Sequence, residues 1–140
     1  MLRQCCGVAV VLAVIALPLL GDSARPEKPE AGIVERLGEN LPLDVELYDE
    51  QGYLVPLGKL VTKPTILMFV YYRCPGICSP LLTEVSVIVE KMNLELGRDY
   101  QVISISFDHT ETPELAAEKR ENYLASIGRP IDPNGWRFLT

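Results

Sequence analysis

The sequence predicts a mixed α/β domain: a β-hairpin followed by a strand–helix–strand–helix–strand series. Three observations lead there. Thr65–Tyr71 is a continuous apolar run rich in β-formers, and Tyr100–Phe107 reads as a second strand with Ile103, Ile105 and Phe107 on one face. Each is followed by a longer stretch that reads as a helix. Gly97 and the triplet Gly128-Arg129-Pro130 fall where those helices would have to stop. Strands that alternate with helices in this way form a parallel sheet with helical crossovers.

The elements follow in order. Leu43–Tyr48 and Tyr53–Leu57 are short apolar runs joined by Asp49-Glu50-Gln51-Gly52, a turn-rich link that predicts a hairpin. Pro64 opens the run Thr65–Tyr71, whose lack of alternation predicts a strand buried on both faces in the middle of a sheet. A helix is predicted from about Ile77 to Leu96. Leu82, Val85, Val89, Met92 and Leu96 form one stripe, with Glu84, Lys91 and Glu95 opposite. Tyr100–Phe107 reads as a second buried strand, with Ile103, Ile105 and Phe107 on one face. Thr112-Pro113-Glu114 supplies an N-cap, an N1 proline and a first-turn acid for a helix running to about Ile127. Trp136–Leu139 begins a third strand, and the sequence stops just inside it. An α/β domain normally completes its sheet, so the reading is a domain incomplete at its C-terminal side.

The N-terminus reads differently. Arg3 precedes an apolar stretch from Gly7 to Leu20, and Gly21-Asp22-Ser23-Ala24 forms a small, polar exit. That run is short for a membrane span, which needs about 20 residues. Residues 1–24 are therefore read as a signal peptide, with an uncleaved anchor tethering the protein through residues 7–20 as the alternative. Cys5 and Cys6 precede the apolar run, so they do not resemble a lipoprotein acceptor and are read as passengers. Residues 25–32 form a charged, proline-broken linker, leaving 33–140 as one domain. With 13 Lys and Arg against 19 Asp and Glu, the net charge of -6 argues against a nucleic-acid surface or an anionic-lipid patch.

The chemistry sits at Cys74 and Cys78, in Tyr71-Tyr72-Arg73-Cys74-Pro75-Gly76-Ile77-Cys78, where a strand turns into a helix. Sites in open α/β sheets gather at this end of the strands. A helix N-terminus stabilises a thiolate, Arg73 is placed to add a cation, and Pro75-Gly76 permits the sharp turn that faces both sulfurs toward one point. Two thiolates so placed suit Cu(I), can hold zinc or Cu(II) with further ligands, and can equally form a disulfide. With three intervening residues the loop is wider than the usual C-x-x-C exchange motif. In an oxidising compartment the pair closes to a disulfide unless it is reduced or metallated.

Tyr71 to Leu82, with Ser104-Ile105-Ser106-Phe107-Asp108 and Glu111-Thr112-Pro113-Glu114, resembles the SCO/SenC proteins. The likeness runs from about Ile33 to Thr140. It implies a thioredoxin-like fold, export to the bacterial periplasm or the periplasmic face of the inner membrane, and a Cys-Cys-His copper site. Cys74 and Cys78 take the positions of its two sulfur ligands. It also implies a role in assembling the copper centre of cytochrome c oxidase, as copper donor to that subunit or as thiol reductant of the acceptor. The ligand histidine of the family lies in a loop downstream of residue 140. His109, the one histidine of this sequence, is read as a solvated loop residue, with substitute ligand as the alternative. Met68, Met92 and Trp136 are read as core, and Asp108 as a solvated residue ahead of a helix. Tyr71 and Tyr72 frame the mouth of the site, or one of them packs inward.

Three functions fit. A metallochaperone captures Cu(I) on Cys74 and Cys78 and passes it on by ligand exchange. A thiol–disulfide oxidoreductase uses Cys74 as nucleophile and Cys78 as resolving thiol. A redox or copper sensor signals through a partner. A peroxidase is disfavoured, because only Arg73 accompanies Cys74.

Overall fold

The computed structural model describes Gly32 and residues 34–140. The segment read as a signal, with Cys5 and Cys6, and the linker up to residue 31 lie outside the described residues. The chain divides into two units, Met1–Leu37 and Gly38–Thr140. The described residues of the first are all exposed. The second carries all the described strands and helices.

The hairpin forms where the turn chemistry puts it. β1 (Glu46–Tyr48) pairs antiparallel with β2 (Leu54–Pro56), Leu47 opposite Val55. The Asp49 carboxylate accepts the backbone N–H groups of Gln51 at 3.0 Å and Tyr53 at 2.9 Å, and Gly52 takes the positive φ of +81° that closes the turn. A single helical turn, α1 (Leu57–Leu60), follows at once.

β3 (Thr65–Val70), β4 (Gln101–Ser106) and β5 (Trp136–Leu139) form a parallel sheet in that order, with Val70 beside Ser106 and Ile105 beside Leu139. The crossovers are α2 (Cys78–Lys91) and α3 (Pro113–Ala125). Successive crossovers in one direction leave both helices on one face. On that face Val70, Tyr72, Val102, Trp136 and Phe138 pack with Leu82, Val85, Val89 and Ala116. On the other face Ile103, Ile105 and Leu139 meet Leu57, with Leu47, Leu60 and Leu67 around them. Side chains therefore alternate between two cores, as strand geometry requires. Met68 and Trp136 are buried, and Met92 packs against the helical core.

Three expectations are corrected. β3 is not a doubly buried central strand: it has one described neighbour, and Ile66 and Phe69 are 42% and 60% exposed. The central strand is β4, all six of whose residues are buried. An apolar run reports residue type, and position in the sheet is set by pairing partners far away in sequence. Phe107 lies beyond β4 and is exposed. α2 stops at Lys91, five residues early, with Met92 extended at φ -70° and ψ 142°. The Asp99 carboxylate accepts the Glu95 N–H at 2.8 Å, and Gly97, at φ +88°, turns the loop that follows. Local side-chain bonding thus competes with the helix, while Leu96 keeps the burial that its place in the stripe foretells.

Two connections hold the hairpin to the sheet. Tyr48 and Thr140 exchange backbone hydrogen bonds of 2.8 and 3.0 Å. The Glu50 carboxylate, 2% exposed, accepts from Arg137 Nε at 3.0 Å, from its terminal nitrogen at 2.6 Å and from the Phe138 N–H at 2.8 Å. No helix among the described residues is long and apolar enough to cross a membrane.

Candidate metal and thiol site

Where β3 leaves the sheet the two tyrosines part. Tyr72 turns into the helical core, 2% exposed, and its hydroxyl lies 3.0 Å from the Ser104 carbonyl and 2.9 Å from that of Leu139. Burial pushes its pKa far above the ordinary tyrosine range, so it stays a donor. Tyr71 stays at the surface, its ring 4.0 Å from that of Phe107.

The chain then turns, the Cys74 N–H donating to the Tyr71 carbonyl at 3.3 Å, and reaches α2, whose first residue is Cys78. The Cys74 sulfur accepts from the Gly76 N–H at 3.4 Å and the Cys78 sulfur from the Tyr71 N–H at 3.5 Å. Both cysteines are free and half-buried. Their surroundings make them unequal. Backbone N–H groups of Cys78 and then Gly76, together with the Cys78 thiol, hold Cys74 below the ordinary thiol value. The Tyr71 N–H pulls Cys78 down, but partial burial, the neighbouring Cys74 sulfur and the Glu111 charge outweigh it and push Cys78 up. The result is one readily formed thiolate at a helix N-terminus beside one retained thiol.

Beneath the loop lies a residue to which the sequence gives no role. Glu111 is buried between the end of β4 and the start of α3. Its carboxylate accepts the Tyr72 N–H at 2.7 Å, the Arg73 N–H at 2.6 Å and the Ser106 hydroxyl at 2.6 Å. An acid just before a Thr-Pro cap looks like any other helix-start residue. The one sequence signal available was its place in the motif Glu111-Thr112-Pro113-Glu114.

The other candidates fall away from the sulfurs. Arg73 is exposed, and its charge, like that of His109, acts on Asp108. His109 lies in an exposed turn, and among the described residues no three His, Cys, Asp or Glu side chains gather as a metal site. It does not complete a triad with Cys74 and Cys78. Asp108 folds back on its own turn, accepting from the Thr110 N–H at 2.9 Å and hydroxyl at 2.7 Å. A cleft of about 500 Å³ opens between the hairpin and the start of α3, lined by Tyr48, Phe107, His109 and Thr112 among others, but neither cysteine lines it. Both sulfurs lie at the partly exposed strand-to-helix loop, outside that cleft.

A SCO2-like protein of Rickettsia conorii is 34% identical over 88 residues, 61% of this chain and 43% of that protein. A crystal structure from Aquifex aeolicus superposes with a TM-score of 0.60 at 32% identity, covering 74% of this chain and 57% of that one. Arabidopsis thaliana ScoI, solved with copper bound, gives 0.53 at 26% identity over 68% of this chain and 54% of its own. This chain thus spans less than half the length of the curated relative. With these neighbours the α/β architecture is thioredoxin-like. The SCO1/SenC family model matches residues 35–128, a span that holds β3, both cysteines and Glu111, and on that match the chain belongs to the SCO1/SenC family.

Proposed function

We propose that this chain binds Cu(I) through Cys74 and Cys78 and hands it to an exported acceptor, helping to assemble the copper centre of cytochrome c oxidase. One observation carries the reading: two free sulfurs converge at a helix N-terminus, where backbone N–H groups favour the thiolate form of Cys74. Soft sulfur donors select Cu(I), and a pair of them serves its low coordination number, whereas Cu(II) calls for nitrogen ligands and more of them. His109 stands apart from the pair, so the two sulfurs favour Cu(I). Loading displaces the thiol protons. Delivery is ligand exchange: an acceptor thiolate adds to the metal as Cys74 or Cys78 leaves, with no change of oxidation state. The copper-bound Arabidopsis relative supports the cargo. The apolar segment between Gly7 and Leu20 supports export to the periplasm or its membrane face.

An anaerobic Cu(I) competition titration of the reduced protein tests this. One tightly held copper is expected, lost in the Cys74→Ser/Cys78→Ser double variant. Weak binding, equal in both proteins, overturns copper delivery.

The inequality of the two thiols favours a second reading, reduction of an exported partner's disulfide. The Cys74 thiolate attacks one partner sulfur and expels the other as a thiolate. Cys78 then attacks Cys74, closing the intramolecular disulfide and releasing the second partner thiol, so two electrons pass to the partner. Turnover of a disulfide substrate by a protein that holds no copper selects this reading over the first.

A further inference from the structure

We propose that Glu111 is the positioning residue of the dithiol site, holding the strand-to-helix loop in the one geometry that brings the Cys74 and Cys78 sulfurs together. The proposal rests on the dithiol being the working site, whether it carries copper or exchanges electrons.

The ladder between β3 and β4 ends at Val70 and Ser106. Beyond it, the chain must leave the sheet, bury Tyr72, expose Arg73 and present Cys74 in the loop ahead of α2, all within four residues. Two of the amides freed by that departure, those of Tyr72 and Arg73, both point at the Glu111 carboxylate. A buried N–H needs an acceptor, and here one side chain serves two successive residues. The carboxylate is itself fixed: Ser106 donates its hydroxyl to it and accepts the Asp108 N–H at 3.2 Å. A rigid bracket therefore joins the end of β4 to the peptide that enters Cys74. Cys74 is placed from this side, whereas Cys78 is placed by α2, which packs on the sheet through Leu82, Val85 and Val89. The distance between the sulfurs is set by both supports together.

An amide cannot replace this carboxylate. A glutamine oxygen at the Oε2 position keeps Tyr72 and Ser106 but turns its NH₂ toward the Arg73 N–H. In the flipped orientation it keeps Arg73 and opposes the Tyr72 N–H. Either way one loop amide loses its acceptor, although side-chain volume is unchanged.

The test is Glu111→Gln beside wild type and Val102→Ala, a buried mid-strand substitution remote from the loop that sets the effect of destabilisation alone. Thermal midpoint, Cu(I) affinity and the Cys74–Cys78 reduction potential are measured on each. A folded Glu111→Gln protein is expected to lose roughly tenfold or more in Cu(I) affinity and to shift its reduction potential, with Val102→Ala unchanged in both. Wild-type affinity and potential in folded Glu111→Gln, or equal losses in Val102→Ala, overturn the proposal. Should wild type itself hold no copper, the copper reading fails and the potential alone decides the role of Glu111. If Glu111→Gln does not fold, Ser106→Ala, which removes one anchor of the carboxylate and leaves the loop amides their acceptor, is expected to move the same two readouts less far. No movement in it overturns the proposal.

Discussion

Replacing Glu50 by glutamine should detach the hairpin from the sheet energetically while changing almost no volume. The Glu50 carboxylate accepts three bonds from Arg137 and a fourth from the Phe138 N–H, at 2.6 to 3.0 Å, and Arg120 Nε stands 3.4 Å away. Its side chain is 2% exposed and that of Arg137 is 24% exposed, so water screens the pair weakly. Charge-assisted hydrogen bonds contribute about 1.5–3 kcal/mol each. Glutamine retains one good acceptor and leaves Arg137 with Asp49, at 3.8 Å, as its other carboxylate. The expected loss is about 3–5 kcal/mol, the range for breaking a buried pair from one side. Urea unfolding at low and high salt measures it, and the deficit should persist in salt. Arg137→Met closes a double-mutant cycle, with a coupling of roughly 1–3 kcal/mol expected. A loss below about 1 kcal/mol that vanishes in salt would refute the reasoning, because it is the behaviour of a solvated surface pair.

Alkylation by iodoacetamide across pH should modify Cys74 first, with a midpoint below the ordinary thiol value, because backbone N–H groups of Cys78 and Gly76 favour its thiolate. The sign is fixed: a lowered value leaves more thiolate at neutral pH, and Cys78→Ala, which removes the Cys78 thiol that also supports the Cys74 thiolate and leaves the backbone N–H groups in place, should move the midpoint up. Peptide mapping that finds Cys78 modified first counts against the geometry. Gly97→Ala should destabilise by about 1–2 kcal/mol in urea, since the residue sits at φ +88° and a Cβ there would meet the Asp132 carboxylate at 2.5 Å. A neutral result would mean that the loop after α2 rearranges freely.

Local chemistry was legible in the sequence, and distant pairing was not. The hairpin turn at Asp49–Gly52 and the Thr112-Pro113 start of α3 are written in adjacent residues, and both form as read. The cysteine pair was legible for the same reason: strand, turn and helix start are contiguous. The edge position of β3 was hidden, since its apolar run reads as a central strand and only pairing decides which strand is central. The premature end of α2 depends on Asp99 reaching back to Glu95, which periodicity does not register. Glu111 was the least visible, because its partners Tyr72 and Arg73 lie 39 and 38 residues earlier.

The clamp between Glu50 and Arg137 joins residues 87 apart in the chain. Closing so long a loop is entropically slow, whereas β3, α2 and β4 meet through shorter ones. The hairpin, made before the rest of the sheet during synthesis, is expected to dock after it. Until the hairpin and α1 have docked, the Ile103–Ile105 face of the central strand lies open, exposing apolar surface that invites aggregation. Pulse-labelled hydrogen exchange during refolding would detect this order as late protection of the Tyr48 and Thr140 amides relative to those of β4.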